Sequence, residues 1–264
     1  MIDVQNSPDD RNVPIDRVGV SGLSYPIVVL EPDGGRQNTI AQLSLSVSLP
    51  ADRKGTHMSR FIEVIDGHRG EITMRTIPSI LADLRERLST DRARIEVKFP
   101  YFLERTAPAS GKKALMNYEC QFHGEVHGSE DDFVVTVAVP VNSLCPCSKA
   151  LSDHNAHNQR GTITIDVRSA RDEEGKPQIV WIEELIAIAE KSASAPVYPL
   201  LKRDDEKHVT HEMYANPVFV EDMVRNVAVK LREDPRIAWF RVHAENQESI
   251  HNHNTFAEVE WQAP

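Results

Sequence analysis

Two stretches of apolar–polar alternation, each closed by a proline, limit what this chain can fold into more than any other feature. In the first, Leu43, Leu45, Val47 and Leu49 alternate with Gln42, Ser44, Ser46 and Ser48 and stop at Pro50. In the second, Phe133, Val135, Val137 and Val139 run up to Pro140. A period of two buries one face of each strand and leaves the other polar, the pattern of an antiparallel sheet covered on one side.

The two stretches also match residue by residue. Val47-Ser48-Leu49-Pro50 corresponds to Val137-Ala138-Val139-Pro140 at an offset of 90, and His57, Arg60 and Asp66 correspond to His157, Arg160 and Asp166 at an offset of 100. The chain therefore reads as an internal duplication, with ten residues added between strand end and strand start in the second copy only. That insertion holds Cys145 and Cys147, and loops inserted on a rigid scaffold are where function is commonly placed.

Around these stretches the order of elements is regular. Residues 1–36 read as an extended arm closed by the turn Pro32-Asp33-Gly34-Gly35. A strand is expected over 57–66, a helix through Ile77, Ile80, Leu81, Leu84 and Leu88 behind Pro78, and strands over 92–101 and 114–127. In the second half a strand runs from near His157 through Ile163, Ile165 and Val167, and a helix spans 181–193 through Ile182, Leu185, Ile186 and Ala189. Asn216 is read as the N-cap of a further helix, with Pro217 at its first position and Val220, Val224, Val227 and Leu231 as its apolar stripe. Strands over 236–246 and 254–261 end the chain. Two strands, a helix and two strands, taken twice, predict an α+β fold with antiparallel sheets: an arm (1–36), a first module (37–129) and a second (130–264).

Composition narrows the function. With 264 residues, 40% of them apolar, the chain can bury a large core, and its net charge of −10 argues against nucleic acid as a partner. The first 35 residues have no unbroken apolar stretch, so neither a signal peptide nor a membrane anchor is expected and the protein reads as cytoplasmic. Cys120, Cys145 and Cys147 cannot all pair, and a bridge across the single Pro146 would be strained. In a reducing compartment they are free thiols or metal ligands.

Cys145, Cys147 and His157 can converge if the inserted loop folds back over the strand entrance. Thiolate and imidazole suit Zn²⁺, Fe²⁺ or another borderline transition metal. The competing reading is a buried thiol pair with a satisfied histidine. A closed structural zinc site would want a second Cys or His pair, and none stands at the expected spacing. Residues 194–207, from Ser194 to Lys207, read as a stiff, solvated two-proline loop that offers carboxylates to a metal and cations to a phosphate. Glu221 falls in the first turn of the last helix, where the helix dipole alone would favour a carboxylate. His251 and His253 sit in a strand connection, as ligands or as surface residues. A P-loop, a dinucleotide fingerprint, an HExxH pair and a nucleophile-elbow serine are all missing from the sequence, which weakens ATP-driven and hydride-transfer chemistry.

Five ordered motifs are similar to those of the type IB GTP cyclohydrolases of prokaryotes. They are Ser143-Leu144-Cys145-Pro146-Cys147-Ser148-Lys149, Ala156-His157-Asn158-Gln159-Arg160-Gly161, Pro196 to Arg203 with Asp205-Glu206-Lys207, Asn216-Pro217 with Phe219-Val220-Glu221-Asp222, and Glu248-Ser249-Ile250-His251. The resemblance covers most of the chain. It implies two fused tunnelling-fold (T-fold) modules and a homo-oligomer, a homotetramer, with active sites at module and subunit interfaces. It also implies conversion of GTP and water to 7,8-dihydroneopterin triphosphate and formate, the entry to folate and related pterin pathways.

Carried over by residue, Cys145, Glu206 and His251 resemble the ligands of one divalent ion (Mn²⁺, Zn²⁺ or Fe²⁺), with His157 beside the metal or on it. His157 would shuttle protons, Glu221 would accept the guanine N1–H and 2-amino donors, and Cys147 matches the second family thiol. Lys149, Arg160, Lys202, Arg203 and Lys207 are candidates for the triphosphate. Ala150, His154-Asn155 and His211 depart from the family pattern. Two rivals remain at this point: a nitrile reductase of the same fold, using a cysteine nucleophile without a metal, and a non-catalytic, metal-stabilised interaction module.

Overall fold

The computed structural model describes residues 5, 7–68, 72–73 and 75–264; residues 1–4 and 6 of the expected arm lie outside the described residues. The rest of that stretch is largely sheet. Strand β1 (Ile15–Leu30) pairs antiparallel with β2 (Arg36–Leu49), from Leu30↔Arg36 back to Ile15↔Leu49. The turn between them falls where the sequence places it, with Gly34 at φ +77 supplying the left-handed residue.

Residues 57–66 form a helix, not the expected strand: α1 (Met58–Gly67). In a strand Ile62 and Val64 would share a face, yet here Val64 is buried with Phe61 and Ile65 while Ile62 is 44% exposed. The i, i+3, i+4 spacing of the buried three decides the outcome. Helix α2 (Ile77–Leu88) follows with Pro78 in its first turn, and its C-cap Ser89 takes the left-handed conformation at φ +49. Next come β3 (Arg92–Thr106), β4 (Lys113–His127), β5 (Glu130–Leu144), the short α3 (Pro146–Leu151) and β6 (Asn158–Ser169). Helix α4 (Ile182–Lys191), the two-residue β7 (Ala195–Pro196), α5 (Arg203–Ala215), α6 (Val220–Arg232), β8 (Ile237–Asn246) and β9 (Thr255–Gln262) complete the chain.

Two more expectations are corrected. The charged end of the 194–207 segment is not loop, because α5 begins at Arg203. Asn216 closes α5 instead of opening the next helix: its N–H donates to Glu212 O at 3.0 Å, and its side-chain amide donates to Ala193 O at 2.8 Å. Helix α6 starts four residues later, where the Asp222 carboxylate accepts the Phe219 N–H at 3.1 Å and so caps the first turn.

Strand, strand, helix, helix, strand, strand is the order from β1 to β4, and it recurs from β5 to β9 with α3, β7 and one further helix added. The residue match at an offset of 100 does not follow this recurrence. His57, Arg60 and Asp66 cap or lie on α1, whereas Arg160 and Asp166 lie in β6.

The chain forms two compact units, residues 1–100 with 121–134, and residues 101–120 with 135–264. In the first unit β2 pairs with β3 through Leu43↔Val97 and Leu45↔Ile95, all four buried, and the apolar faces of α1 and α2 are buried as well. Gly124 is glycine for want of room, since a Cβ there would stand 2.5 Å from Ile77 Cγ2. In the second unit β6, β8 and β9 are neighbours through Ile165↔Val242 and Val242↔Val259, and β7 pairs with β5 at Val141↔Pro196. Leu185 and Ile186 of α4 and Val224, Val227 and Leu231 of α6 are buried there.

The second unit also buries charge. Glu190 of α4 accepts from Tyr118 Oη at 3.1 Å and is paired with Arg105. Burial pushes the Glu190 carboxyl up from the usual range, against the opposing pull of Arg105 and Tyr118. Among the described residues no helix is long and apolar enough to cross a membrane.

Candidate active site

The inserted loop is built from Cys145 outward. Cys145 has extended backbone angles and stands at the N-cap of α3; Pro146 takes the first helical position, where its missing N–H costs nothing. The Cys145 sulfur accepts the Ser148 N–H at 3.4 Å, and its carbonyl accepts the Lys149 N–H at 3.1 Å. The turn that results folds back onto the start of β6. There Cys145 N–H donates to His157 O at 3.1 Å, and His157 N–H donates to Ser148 Oγ at 3.3 Å. Thiol and imidazole segments twelve residues apart are thus held side by side.

His157 is oriented by a residue that the sequence reading passed over as a ligand support. Its Nδ1 lies 2.9 Å from Oε1 of Gln159, which is only 8% exposed. An amide oxygen can only accept, so Nδ1 carries the proton and Nε2 keeps its lone pair in the neutral ring. That is the tautomer a metal-binding or proton-relaying imidazole needs.

Beneath the loop, Leu144, Ala156, Ala195, Val209 and Met213 form a small buried cluster, with Tyr198 and Leu201 packed against it. It ties the thiol segment to α5. Polar contacts fix the same segment from other sides. Leu144 N–H donates to Ser194 Oγ at 3.0 Å, Val218 N–H to Leu144 O at 3.3 Å, and Ser143 Oγ to Val218 O at 3.3 Å. Asn246, at the end of β8, donates to Ser143 Oγ at 3.3 Å. Opposite it in the register stands Gly161, where a Cβ would meet Asn246 Oδ1 at 2.3 Å. Segments carrying Cys145, Glu221 and His251 therefore begin from one buried polar junction of Ser143, Ser194 and Asn246, of which Asn246 alone stands outside the functional motifs and segments read from the sequence.

Apart from the half-buried Lys149, the remaining candidates are exposed. Cys147 lies on the outer side of α3; Glu206 and Lys207 lie in the first turn of α5, and Lys202 and Arg203 at its start; Glu221 lies in the first turn of α6. His251 lies in the β8–β9 connection with its ring 5.1 Å from that of His253. Lys149 is already engaged, its ammonium 2.5 Å from Tyr214 O and 4.4 Å above the Tyr214 ring. Arg160 lines a cleft of about 480 Å³ on the second unit together with Thr162, Pro140, Asn117, Glu119 and Tyr198.

Among the described residues of the single chain, no three His, Cys, Asp or Glu side chains gather at metal-holding distance. Of the expected ligand set, Cys145 and His157 are joined by a direct backbone bond, and Glu206 and His251 are carried on α5 and on the β8–β9 connection. Sulfur and an imidazole of fixed tautomer remain a donor pair suited to a borderline divalent ion.

Solved structures with a similar fold include uricases. That of Arthrobacter globiformis matches with a TM-score of 0.56 at 11% identity over 94% of this chain and 93% of its own, and urate oxidase from Bacillus sp. TB-90 with a TM-score of 0.51 at 9% identity over 94% and 100%. At such identity the likeness shows the fold alone, an antiparallel α+β protein of the tunnelling-fold type. The sequence goes further. A family model described as type I GTP cyclohydrolase folE2 matches residues 1–257. GTP cyclohydrolase FolE2 of Syntrophus aciditrophicus is 51% identical over 98% of this chain and 99% of its own, and FolE2 of Geotalea uraniireducens is 50% identical over 98% and 93%. The chain belongs to the type I GTP cyclohydrolase FolE2 family.

Proposed function

We propose that the chain is a metal-dependent GTP cyclohydrolase I of the type IB group, converting GTP and water to 7,8-dihydroneopterin triphosphate and formate. Family membership over nearly the whole chain supports the reaction. The observation that carries the site is the joining of the Cys145 and His157 segments, with Gln159 setting the imidazole tautomer.

In this reading Cys145, Glu206 and His251 hold one Mn²⁺, Zn²⁺ or Fe²⁺ per site, with His157 beside it or on it. A bound ion of this kind supplies Lewis acidity, lowering the pKa of water from ~15.7 towards ~7. The chain's residues do the rest. Glu221 accepts the N1–H and 2-amino donors of guanine, a two-point contact that a carboxylate matches. His157 takes and returns protons at Nε2 while the imidazole ring of guanine opens and C8 leaves as formate. Arg160, Lys202, Arg203 and Lys207 neutralise the triphosphate, with Lys149 joining them only if it releases Tyr214. Cys147 is placed as the second thiol of the loop. That no three ligand-type side chains gather among the described residues of one chain suits sites completed by a second copy in a cytoplasmic homotetramer. The recurring element order supports two tandem T-fold modules, 37–129 and 130–264, behind an N-terminal segment 1–36.

One assay tests the reading. Metal-free protein is mixed with GTP and each divalent ion in turn, and pterin fluorescence and formate are followed. Turnover should appear only with metal and be lost in Cys145→Ala, whose circular dichroism should match the parent. Full turnover by the metal-free protein or by Cys145→Ala would refute the metal assignment.

A further inference from the structure

Helix α5 opens with a run of charge in which one member behaves unlike the rest. Lys202, Arg203, Asp204, Glu206 and Lys207 are exposed, whereas Asp205 is 0% exposed. Its carboxylate accepts four hydrogen bonds. Oδ1 takes the N–H of Ala109 at 2.8 Å and of Ser110 at 2.7 Å; Oδ2 takes the Ser110 hydroxyl at 2.6 Å and the Lys202 N–H at 2.8 Å. Both oxygens are used to capacity.

Only the Lys202 bond serves the helix itself, as a cap on its first turn. The other three reach the β3–β4 turn, more than ninety residues earlier in the chain. That turn is shaped to donate. Ala107 N–H bonds Lys112 O at 2.8 Å, Gly111 N–H bonds Ala107 O at 3.1 Å, and Gly111 at φ +66 closes it, so that consecutive N–H groups converge on one oxygen. Farther along, Val209 and Met213 anchor α5 in the apolar cluster below the thiol loop. The first turn has no buried apolar residue of its own, and its fixed point is Asp205.

We propose that Asp205 is a positioning residue: by locking the first turn of α5 onto the β3–β4 turn, it fixes the adjacent Glu206 carboxylate in the orientation from which it reaches the divalent ion. A long exposed side chain on a fraying first turn would otherwise pay its ordering entropy at the moment of metal binding. The proposal rests on the reading of Glu206 as a ligand and adds to it the Ser110 turn, whose bonds to α5 go to Asp205.

The test is Mn²⁺ affinity of the full-length metal-free protein, read from the electron paramagnetic resonance signal of free Mn²⁺, for Glu206→Ala, Asp205→Asn, Ser110→Ala and Ser110→Thr. Supporting residues behind a metal ligand typically change affinity by about 10- to 100-fold. Asp205→Asn should weaken Mn²⁺ binding by about that factor. Ser110→Ala should weaken it less, with a lowered thermal midpoint, and Ser110→Thr, which keeps the hydroxyl, should restore both. Parental affinity in Asp205→Asn and Ser110→Ala, with affinity lost in Glu206→Ala, would overturn the clamp while leaving the ligand in place. Parental affinity in Glu206→Ala would instead remove the ligand reading, and the role of the clamp with it. If Asp205→Asn does not fold, the alanine and threonine variants of the exposed Ser110 decide between the first two results.

Discussion

Replacing Gly161 by alanine probes the junction beneath the thiol loop with a single methyl group. The new Cβ would stand 2.3 Å from Asn246 Oδ1 and 3.1 Å from Glu245 O. The second contact yields with a small backbone shift. The first does not, because Asn246 is 3% exposed and swinging its amide away gives up the bond to Ser143 Oγ. Overpacking of this kind costs about 1–3 kcal/mol, and losing a neutral hydrogen bond about 0.5–1.5 kcal/mol. Alanine returns about 0.5–1 kcal/mol of backbone entropy relative to glycine, leaving a net loss of about 0.5–4 kcal/mol. Urea unfolding at fixed protein concentration measures it, as a lower midpoint at constant m. The decisive comparison is in an Asn246→Ala background, where the clash partner is absent and most of the cost of Gly161→Ala should vanish. An equal cost in both backgrounds, or none in either, would refute the account of why this position is glycine.

Glu221→Gln should raise the KM for GTP at least tenfold with a smaller change in kcat, because one acceptor of the two-point guanine contact becomes a donor; unchanged GTP affinity in a binding assay would count against that contact. Met213→Ala opens a hole in the cluster below the thiol loop and should cost about 2–5 kcal/mol in chemical denaturation, with formate release falling well below the midpoint loss expected of a remote core site. The Arg236 guanidinium, hydrogen-bonded to Asp234, holds that carboxyl below its ordinary value. A lowered carboxyl stabilises the fold above its unfolded pKa of about 3.9 and loses that stabilisation as pH falls through the lower folded value. Asp234→Asn should therefore flatten the acid limb of the stability curve below about pH 4 and leave the shape near neutrality unchanged; identical acid limbs would exclude the pair as a contributor.

Residues 57–66 show where local pattern stops being sufficient. Isoleucine and valine at alternate positions invite a strand, and the match to His157 reinforces it. The spacing of Phe61, Val64 and Ile65 fits a helix equally well, and the sheet gains its second strand from 15–30 instead. Asn216-Pro217 misleads for a related reason. Asparagine favours either end of a helix, and here two carbonyls of α5 and two outside it claim its N–H and side-chain amide. Asp222, three residues past Phe219, is the local mark of the true start of α6, and the Asn216-Pro217 pair drew the reading away from it.

What the sequence determined by itself is whatever depends on residue type and short spacing. The alternating strands, the α2 and α4 stripes, the antiparallel α+β class and the ordered motifs around Cys145, His157, Glu206, Glu221 and His251 are all of that kind, since each is encoded within about fifteen residues. Tertiary structure alone decided which strand lies beside which, and hence that Asn246 crosses Gly161 to reach Ser143 and that Asp205 is buried while its charged neighbours are exposed. Those assignments rest on hydrogen bonds between segments up to a hundred residues apart. Such a bond forms only where folding brings donor and acceptor together without water, and neither residue carries a local mark of its partner.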